Sequence, residues 1–278
     1  MYFPTFADVG ATANSPICAG GTINLSASTG NSYAWSGPNG YSSTAQNPAI
    51  SNATAVSGGV YTVVISTGGT CTARATVNVV VNPNPTASAT GATACEGGSV
   101  TLAAAGGSTY EWSGANGYTS AQQNPTISSL GVSNAGVYTV KVTASGCTAT
   151  ATANVSVTPK PTFSATASAV TCTGSTLKKD GKITLSGFAS TERFVIVQGT
   201  TFTGSVTYQS ATDIPANGNI KTDVENPVTS AGQSYTIRVI NATGCYKDVT
   251  VLVPFKLCDC EVPVCVPFVV TKTKSARR

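Results

Sequence analysis

The chain has 278 residues, room for two or three domains of ordinary size. Fifteen Lys and Arg against eleven Asp and Glu leave a net charge of +4, only 9% of residues are charged, and histidine is absent. A histidine-based triad, general base or metal site is therefore excluded, and the one sizeable basic run (Lys272, Lys274, Arg277, Arg278) is too small to neutralise a nucleic-acid backbone.

The start, Met1-Tyr2-Phe3-Pro4, lacks the basic and long apolar regions of a signal peptide. The expectation is a mature form or a fragment of an exported protein, because nine cysteines with few charges point to an oxidising compartment. Hydrophobic residues make up 41%, enough for a core. No apolar run reaches the ~18 residues of a membrane span, so the chain is not expected to span a membrane.

Two segments then match landmark by landmark. The first runs Cys18-Ala-Gly-Gly-Thr-Ile-Asn-Leu25, Tyr33-Ala-Trp35-Ser-Gly-Pro-Asn-Gly-Tyr41, Gln46-Asn47-Pro48, Gly59-Val-Tyr61-Thr-Val63 and Cys71. The second runs Cys95-Glu-Gly-Gly-Ser-Val-Thr-Leu102, Tyr110-Glu-Trp112-Ser-Gly-Ala-Asn-Gly-Tyr118, Gln123-Asn124-Pro125, Gly136-Val-Tyr138-Thr-Val140 and Cys147. Cys18 to Cys95, Tyr61 to Tyr138 and Cys95 to Cys172 all step by 77 residues. The third copy keeps Glu225-Asn226-Pro227, Ser234-Tyr235-Thr-Ile237 and Gly244-Cys245, and lacks the Trp. Cys172 to Asn226 spans 54 residues where the earlier copies use 29. An insertion of about 25 residues, on the order of one hairpin, is expected there.

The linkers Val81-Asn-Pro83-Asn-Pro85 and Thr158-Pro159-Lys-Pro161 read as short, stiff spacers. Pro4-Thr5-Phe6 is similar to Pro161-Thr162-Phe163, which raises the expectation that further copies precede residue 1. The division read from these landmarks is 1–82, 83–159 and 160–255 for three repeats, with a Cys-rich extension at 256–278 that could serve as a donor or edge strand.

Within each repeat the signals are those of strands. Thr22–Ala27, Val60–Ile65 and Ala75–Val81 alternate apolar and polar residues, and Gly-Gly, Asn-Gly and Ser-Gly pairs punctuate them. No stretch carries a helical period. The fold class is all-β: tandem antiparallel β-sandwiches, each thin enough to depend on cross-links.

Trp35 and Trp112 each follow a Tyr by two residues, so both rings point to one face of a strand. They read as core plugs; a sugar-stacking platform is the alternative, and repeat 1 has few polar partners for it. Tyr61, Tyr138 and Tyr235 stand where a tyrosine corner would. Cys18/Cys71, Cys95/Cys147 and Cys172/Cys245 occur once per repeat and are expected as intradomain disulfides. One topological point weighs against this: in a simple sandwich the two positions lie at opposite ends, so pairing between neighbours stays open. No metal site is expected, because these thiols lack paired spacing.

Cys258, Cys260 and Cys265 form a separate, odd-numbered cluster, read as a local knot ending the array or as a covalent link to another chain, with a metal site as the third alternative, for which the tight spacing speaks but no fourth ligand is evident. Pro267–Lys274, with Phe268, Val269 and Val270, has the alternation of an edge strand, or of a strand donated to a neighbouring subunit. Asp180, Asp213, Asp223, Glu225 and Asp248 form no calcium loop and read as solvated turn residues. Asn52 and Asn241 fit the glycosylation sequon.

The Cys-x-Gly-Gly, Tyr-x-Trp-Ser-Gly, Asn-Gly-Tyr and Val-Tyr-Thr-Val pattern resembles the immunoglobulin-like, PKD-like tandem repeats of secreted Bacteroidota surface proteins. Repeats 1 and 2 match along most of their length, and repeat 3 resembles repeats of gliding and surface adhesins. The resemblance implies export, often by the type IX route, and adhesion or fibre formation, with no cofactor and no catalytic residue. The expectation is a non-enzymatic, extracellular structural and adhesive protein that self-associates into an oligomer or filament and contacts surface glycans or other cell-surface proteins. A carbohydrate-binding module of a larger secreted protein is the alternative.

Overall fold

The computed structural model describes residues 9–66 and 71–258. Phe268, Val269, Val270, Cys260 and Cys265 lie outside the described residues. The chain divides into two compact units, Met1–Val157 and Thr158–Arg278. The first unit holds two hydrophobic cores and the second holds one.

In repeat 1 the strands Ser42–Ser43, Ser32–Ser36, Gly59–Ser66 and Thr72–Val79 form a four-stranded sheet in that order. A second sheet orders Ala11–Ala13, Ile23–Ala27 and Ala49–Ile50. Alternation decides which residues face inward. Ile23, Leu25 and Ala27 from one sheet meet Trp35, Tyr61, Val63 and Ile65 from the other, and all are buried. Repeat 2 repeats this with Val100, Leu102, Trp112, Tyr138, Val140 and Val142. In repeat 3, Ser164–Ser168, Gly181–Ser186 and Asn219–Val224 form one sheet. Thr212–Asp213, Arg193–Gln198, Gln233–Ile240 and Tyr246–Val253 form the other.

The repeated motifs have local causes. Trp35 and Trp112 are each 2% exposed. Their indole N–H groups donate to the carbonyls of Gln46 (3.4 Å) and Gln123 (3.3 Å), which satisfies the one polar atom each ring buries. The hydroxyls of Tyr61 and Tyr138 donate to the Ser57 carbonyl (2.8 Å) and the Asn134 carbonyl (2.9 Å), four residues upstream. That is a tyrosine corner, and Tyr41 and Tyr118 pack edge-on against it with ring centroids 5.5 Å apart. The glycine of Trp-Ser-Gly is required by the same ring. A Cβ on Gly37 would stand 2.3 Å from Tyr61, and one on Gly114 would stand 2.1 Å from Tyr138.

Gln-Asn-Pro supplies a side-chain substitute for a missing strand partner. The Gln46 amide donates to the Ala27 carbonyl (3.0 Å), and the Asn47 oxygen accepts from the Ala27 N–H (3.3 Å). Gln123 and Asn124 do the same for Ala104 at 2.8 and 3.1 Å. Burying the Ala27 and Ala104 backbone thereby leaves neither peptide group unpaired.

The extra length of repeat 3 is not one hairpin. It is spread over the short hairpin Cys172–Thr173/Thr176–Leu177, the loop 199–211 and a lengthened strand, Asn219–Val224. Phe163 and Phe194 are the buried aromatics in this core, and Tyr235 is only half-buried, with the Lys221 ammonium 5.8 Å above its ring.

Candidate functional site

The chemistry-bearing residues of this chain are its cysteines, and the fold decides where each one goes. Ile17–Cys18 pairs in parallel with Val81–Asn82, so Cys18 lies beside Asn82 at the linker end of repeat 1. Cys71 immediately precedes Thr72, at the other end of the strand Thr72–Val79. Eight strand residues put about 26 Å between those ends. A disulfide needs Cα atoms within about 7 Å. The expected Cys18/Cys71 pair is therefore ruled out by the length of one strand.

Cys18 pairs instead with Cys147 of the next repeat, across 129 residues of sequence, with Cα atoms 5.6 Å apart. Cys71 is exposed and free. Cys172 pairs with Cys258 rather than Cys245, with Cα atoms 5.7 Å apart. The expected Cys95/Cys147 pair falls with the Cys18 bond, although Cys95 and Cys245 are each disulfide-bonded. Cys258 thus belongs to repeat 3 and not to a knot with its neighbours in sequence.

The Cys18–Cys147 junction is built by the Asn-Pro linker, expected as a stiff spacer, and by a Ser-Gly turn of repeat 2. In repeat 2 the strands Gly136–Ala144 and Cys147–Thr158 join through a two-residue turn, Ser145-Gly146. Both turn residues have positive φ, +49° and +80°, which matches the twist of the hairpin. The turn points its carbonyls at repeat 1. The Asn82 amide donates to the Ser145 carbonyl at 2.8 Å, and Cys18 Sγ lies 3.9 Å from the Gly146 oxygen. Cys147 Sγ lies 4.0 Å from the Asn82 oxygen, and the Asn84 amide donates back to Ala19 at 3.0 Å. The Asn-Pro linker and the Ser-Gly turn were the readable signals: each is a polar residue fixed beside a rigid backbone.

Repeat 3 has a counterpart turn. The Asn241 amide donates to the Pro159 carbonyl of the preceding linker at 3.2 Å. The Asn241 side-chain oxygen accepts from the Cys245 N–H (2.9 Å) and the Thr243 hydroxyl (2.7 Å). Asn241 of the second sequon is thus used as a turn brace, while Asn52 is exposed.

The carboxylates of repeat 3 work singly. The Lys179 ammonium, 2.6 Å from Glu225, holds that carboxyl below its ordinary range, chiefly through their hydrogen bond. Two hydrogen bonds from Thr171, hydroxyl and backbone N–H, hold Asp180 below its range. Asp213 accepts from Arg193 at 2.7 Å, and Asp248 takes both ends of Arg238 at 2.8 Å. Among the described residues no three of these groups gather around one point. No helix among them is long and apolar enough to cross a membrane.

These are tandem immunoglobulin-like sandwiches. No family model matches the chain, and no curated protein matches it. Solved structures similar to it include the three N-terminal domains of the bacteriophage RB49 highly immunogenic outer capsid protein: 15% identity, TM-score 0.37, 89% of this chain and 99% of that one. The N-terminal eight Ig domains of Down syndrome cell adhesion molecule match at 16% identity and TM-score 0.43, over 89% of this chain and 36% of that one. The titin I-band fragment I67–I69 matches at 11% and 0.42, over 88% and 98%.

Proposed function

We propose that this protein is an extracellular structural and adhesive array in which sulfur bridges, rather than strand ladders, carry tension along the chain. The observation that carries this reading is the Cys18–Cys147 bond, which ties the start of one sandwich to the last hairpin of the next. Force entering at Cys18 passes to Cys147 without loading the residues between them. A second bond, from Cys172 to Cys258, bypasses most of repeat 3. Sandwiches with thin cores can then open locally without the array lengthening, because the covalent path is already short.

The same bonds support an extracellular compartment, because disulfides persist in oxidising surroundings such as the cell exterior. The repeat motifs, in their resemblance to secreted surface repeats, support contact with other cell-surface proteins and self-association. The reading is non-enzymatic. Both Trp rings that a sugar platform would use are inside the cores, so a glycan partner has no aromatic shelf at those positions.

Single-molecule pulling from the two termini tests this. The oxidised chain should show no unfolding step that spans repeat 1 or repeat 3. Reduction should release about 420 Å of new contour from the 129-residue loop and about 280 Å from the 86-residue loop. Full-length unfolding steps in the oxidised protein would overturn the proposal.

A further inference from the structure

The closing cysteines of the three repeats differ in state. Cys147 and Cys245 are each 1% exposed and disulfide-bonded, and the turn of each touches the linker before it. Cys71, their counterpart in repeat 1, is exposed and carries a free thiol. Its counterpart Cys147 shows what fits such a position: the first cysteine of a preceding sandwich, Cys18.

The first cysteine of repeat 3, Cys172, is held by a substitute. Cys172 Sγ lies 4.0 Å from the carbonyl of Leu257, the residue before its partner Cys258. Cys18 Sγ likewise lies 3.9 Å from the carbonyl of Gly146, the residue before its partner Cys147. Leu257-Cys258 therefore meets Cys172 through the same pair of contacts, a disulfide and a preceding carbonyl, by which Gly146-Cys147 meets Cys18. Asn226 clamps this segment from both sides. Its oxygen accepts from the Lys256 N–H at 2.8 Å, and its amide donates to the Lys256 carbonyl at 3.0 Å. In repeats 1 and 2 the same landmark asparagine serves Ala27 or Ala104 instead. Cys172 and Cys258 are both only half-buried, so the bond is within reach of an outside thiol.

We infer that Cys258 is an exchangeable plug, and that Cys71 of a second copy of this chain displaces it from Cys172. This deepens the array reading above by naming the partner as another copy and the bond that joins them. The Cys71 thiolate attacks Sγ of Cys172. The Cys71–Cys172 bond forms and the Cys172–Cys258 bond breaks. The electron pair leaves on Cys258 Sγ, which takes up the proton that Cys71 gave up. One disulfide and one thiol give one disulfide and one thiol, so no oxidant is consumed. Each addition leaves Cys71 free at one end and a plugged Cys172 at the other. The contact is head-to-tail and does not close on itself, so it propagates as a chain.

The test uses the full chain with its disulfides intact, as mixed ¹⁴N and ¹⁵N copies at pH 8 without oxygen, read by non-reducing gels and disulfide mass mapping. The expected result is a ladder of multimers containing mixed-isotope Cys71–Cys172 peptides and one free Cys258 thiol per junction. Cys71→Ser, an exposed and conservative change, should abolish the ladder. Cys258→Ser should stay monomeric without oxidant and form Cys71–Cys172 bonds once oxidised glutathione is added. A ladder joined through Cys71–Cys71, Cys71–Cys260 or Cys71–Cys265 would overturn the inference. So would a protein that stays monomeric with Cys71 still titratable. The same map separates the two readings: loss of the Cys18–Cys147 peptide counts against the braced array, whereas its presence without a ladder counts only against exchange.

Discussion

Repeats 1 and 2 stabilise a sandwich from the inside, whereas repeat 3 does so from both faces of one sheet. In the first two, the inward residues around Trp35 or Trp112 are buried, and the outward positions of the central strand, Val60 and Val137, are exposed. In repeat 3 the strand Gln233–Ile240 is buried on both faces: Ile237 and Val239 inward, Thr236, Arg238 and Ile240 outward. The inserted loop 199–211 supplies the cover. Phe202 stacks on the Arg238 guanidinium at 4.1 Å, Tyr246 stacks on its other side at 3.8 Å, and the Thr236 hydroxyl donates to the Gly199 carbonyl at 2.9 Å. A repeat without the Trp thus gains burial by folding added chain over the outside of the sheet. The general point is that a thin sandwich can be thickened outward when its inner core shrinks.

That contrast can be broken by substitution. Trp112→Ala should destabilise repeat 2 by about 3–5 kcal/mol and leave repeat 3 unchanged, as read by urea unfolding with probes in each repeat. Arg238→Ala should cost repeat 3 about 3 kcal/mol, because it leaves Asp248 facing a half-covered site without its partner. No comparable outward residue exists to be lost in repeat 2, where Lys141 and Glu111 form an exposed pair at 3.2 Å. Gly114→Ala should cost about 2 kcal/mol by forcing the Tyr138 ring aside.

The tyrosine corner gives a smaller, pH-dependent difference. Burial, with the neighbouring Tyr41 or Tyr118 second, raises the pKa of Tyr61 and Tyr138 above 10.0. In the folded state these phenols hold their protons more tightly than in the unfolded state. Their contribution is therefore complete below the unfolded value and is lost as pH rises through the folded one. Thermal melts of repeats 1 and 2 should fall above about pH 10, and absorbance near 295 nm should show these two tyrosines ionising last. Tyr138→Phe should remove one of the two late ionisations, leaving that of Tyr61, and cost about 1 kcal/mol, the net worth of one hydrogen bond. Glu111→Gln should change stability by less than about 0.5 kcal/mol, since both partners are largely solvated.

Much of this was legible beforehand from local pattern. Alternation over Ile23–Ala27 and Gly59–Ser66 named the inward residues, because a strand has a period of two and one face must be buried. Trp35 and Trp112 as core plugs, and the tyrosine corner at Tyr61 and Tyr138, follow from the same parity. Tyr235 shows where parity stops helping: it holds the landmark position, yet the changed repeat leaves it half-buried under Lys221. The role of Gln46-Asn47 was visible only once Ala27, paired with Ala11 on one edge, was seen to lie beyond the short strand Ala49–Ile50 on the other. The double burial of Gln233–Ile240 was hidden, since an outward Thr and Arg read as solvent-facing until a distant loop is placed over them.

By itself the sequence determined the repeat, its strands, the inward face of each and the need for sulfur to brace them. Those properties depend on neighbours within a few residues and on composition. Only the tertiary structure decided which cysteines meet. Cys18 and Cys71 share a repeat but stand a strand length apart, whereas Cys18 and Cys147 are 129 residues apart and in contact. The end of one sandwich faces the end of the next, and a bond a few ångströms long follows proximity in space rather than proximity in sequence.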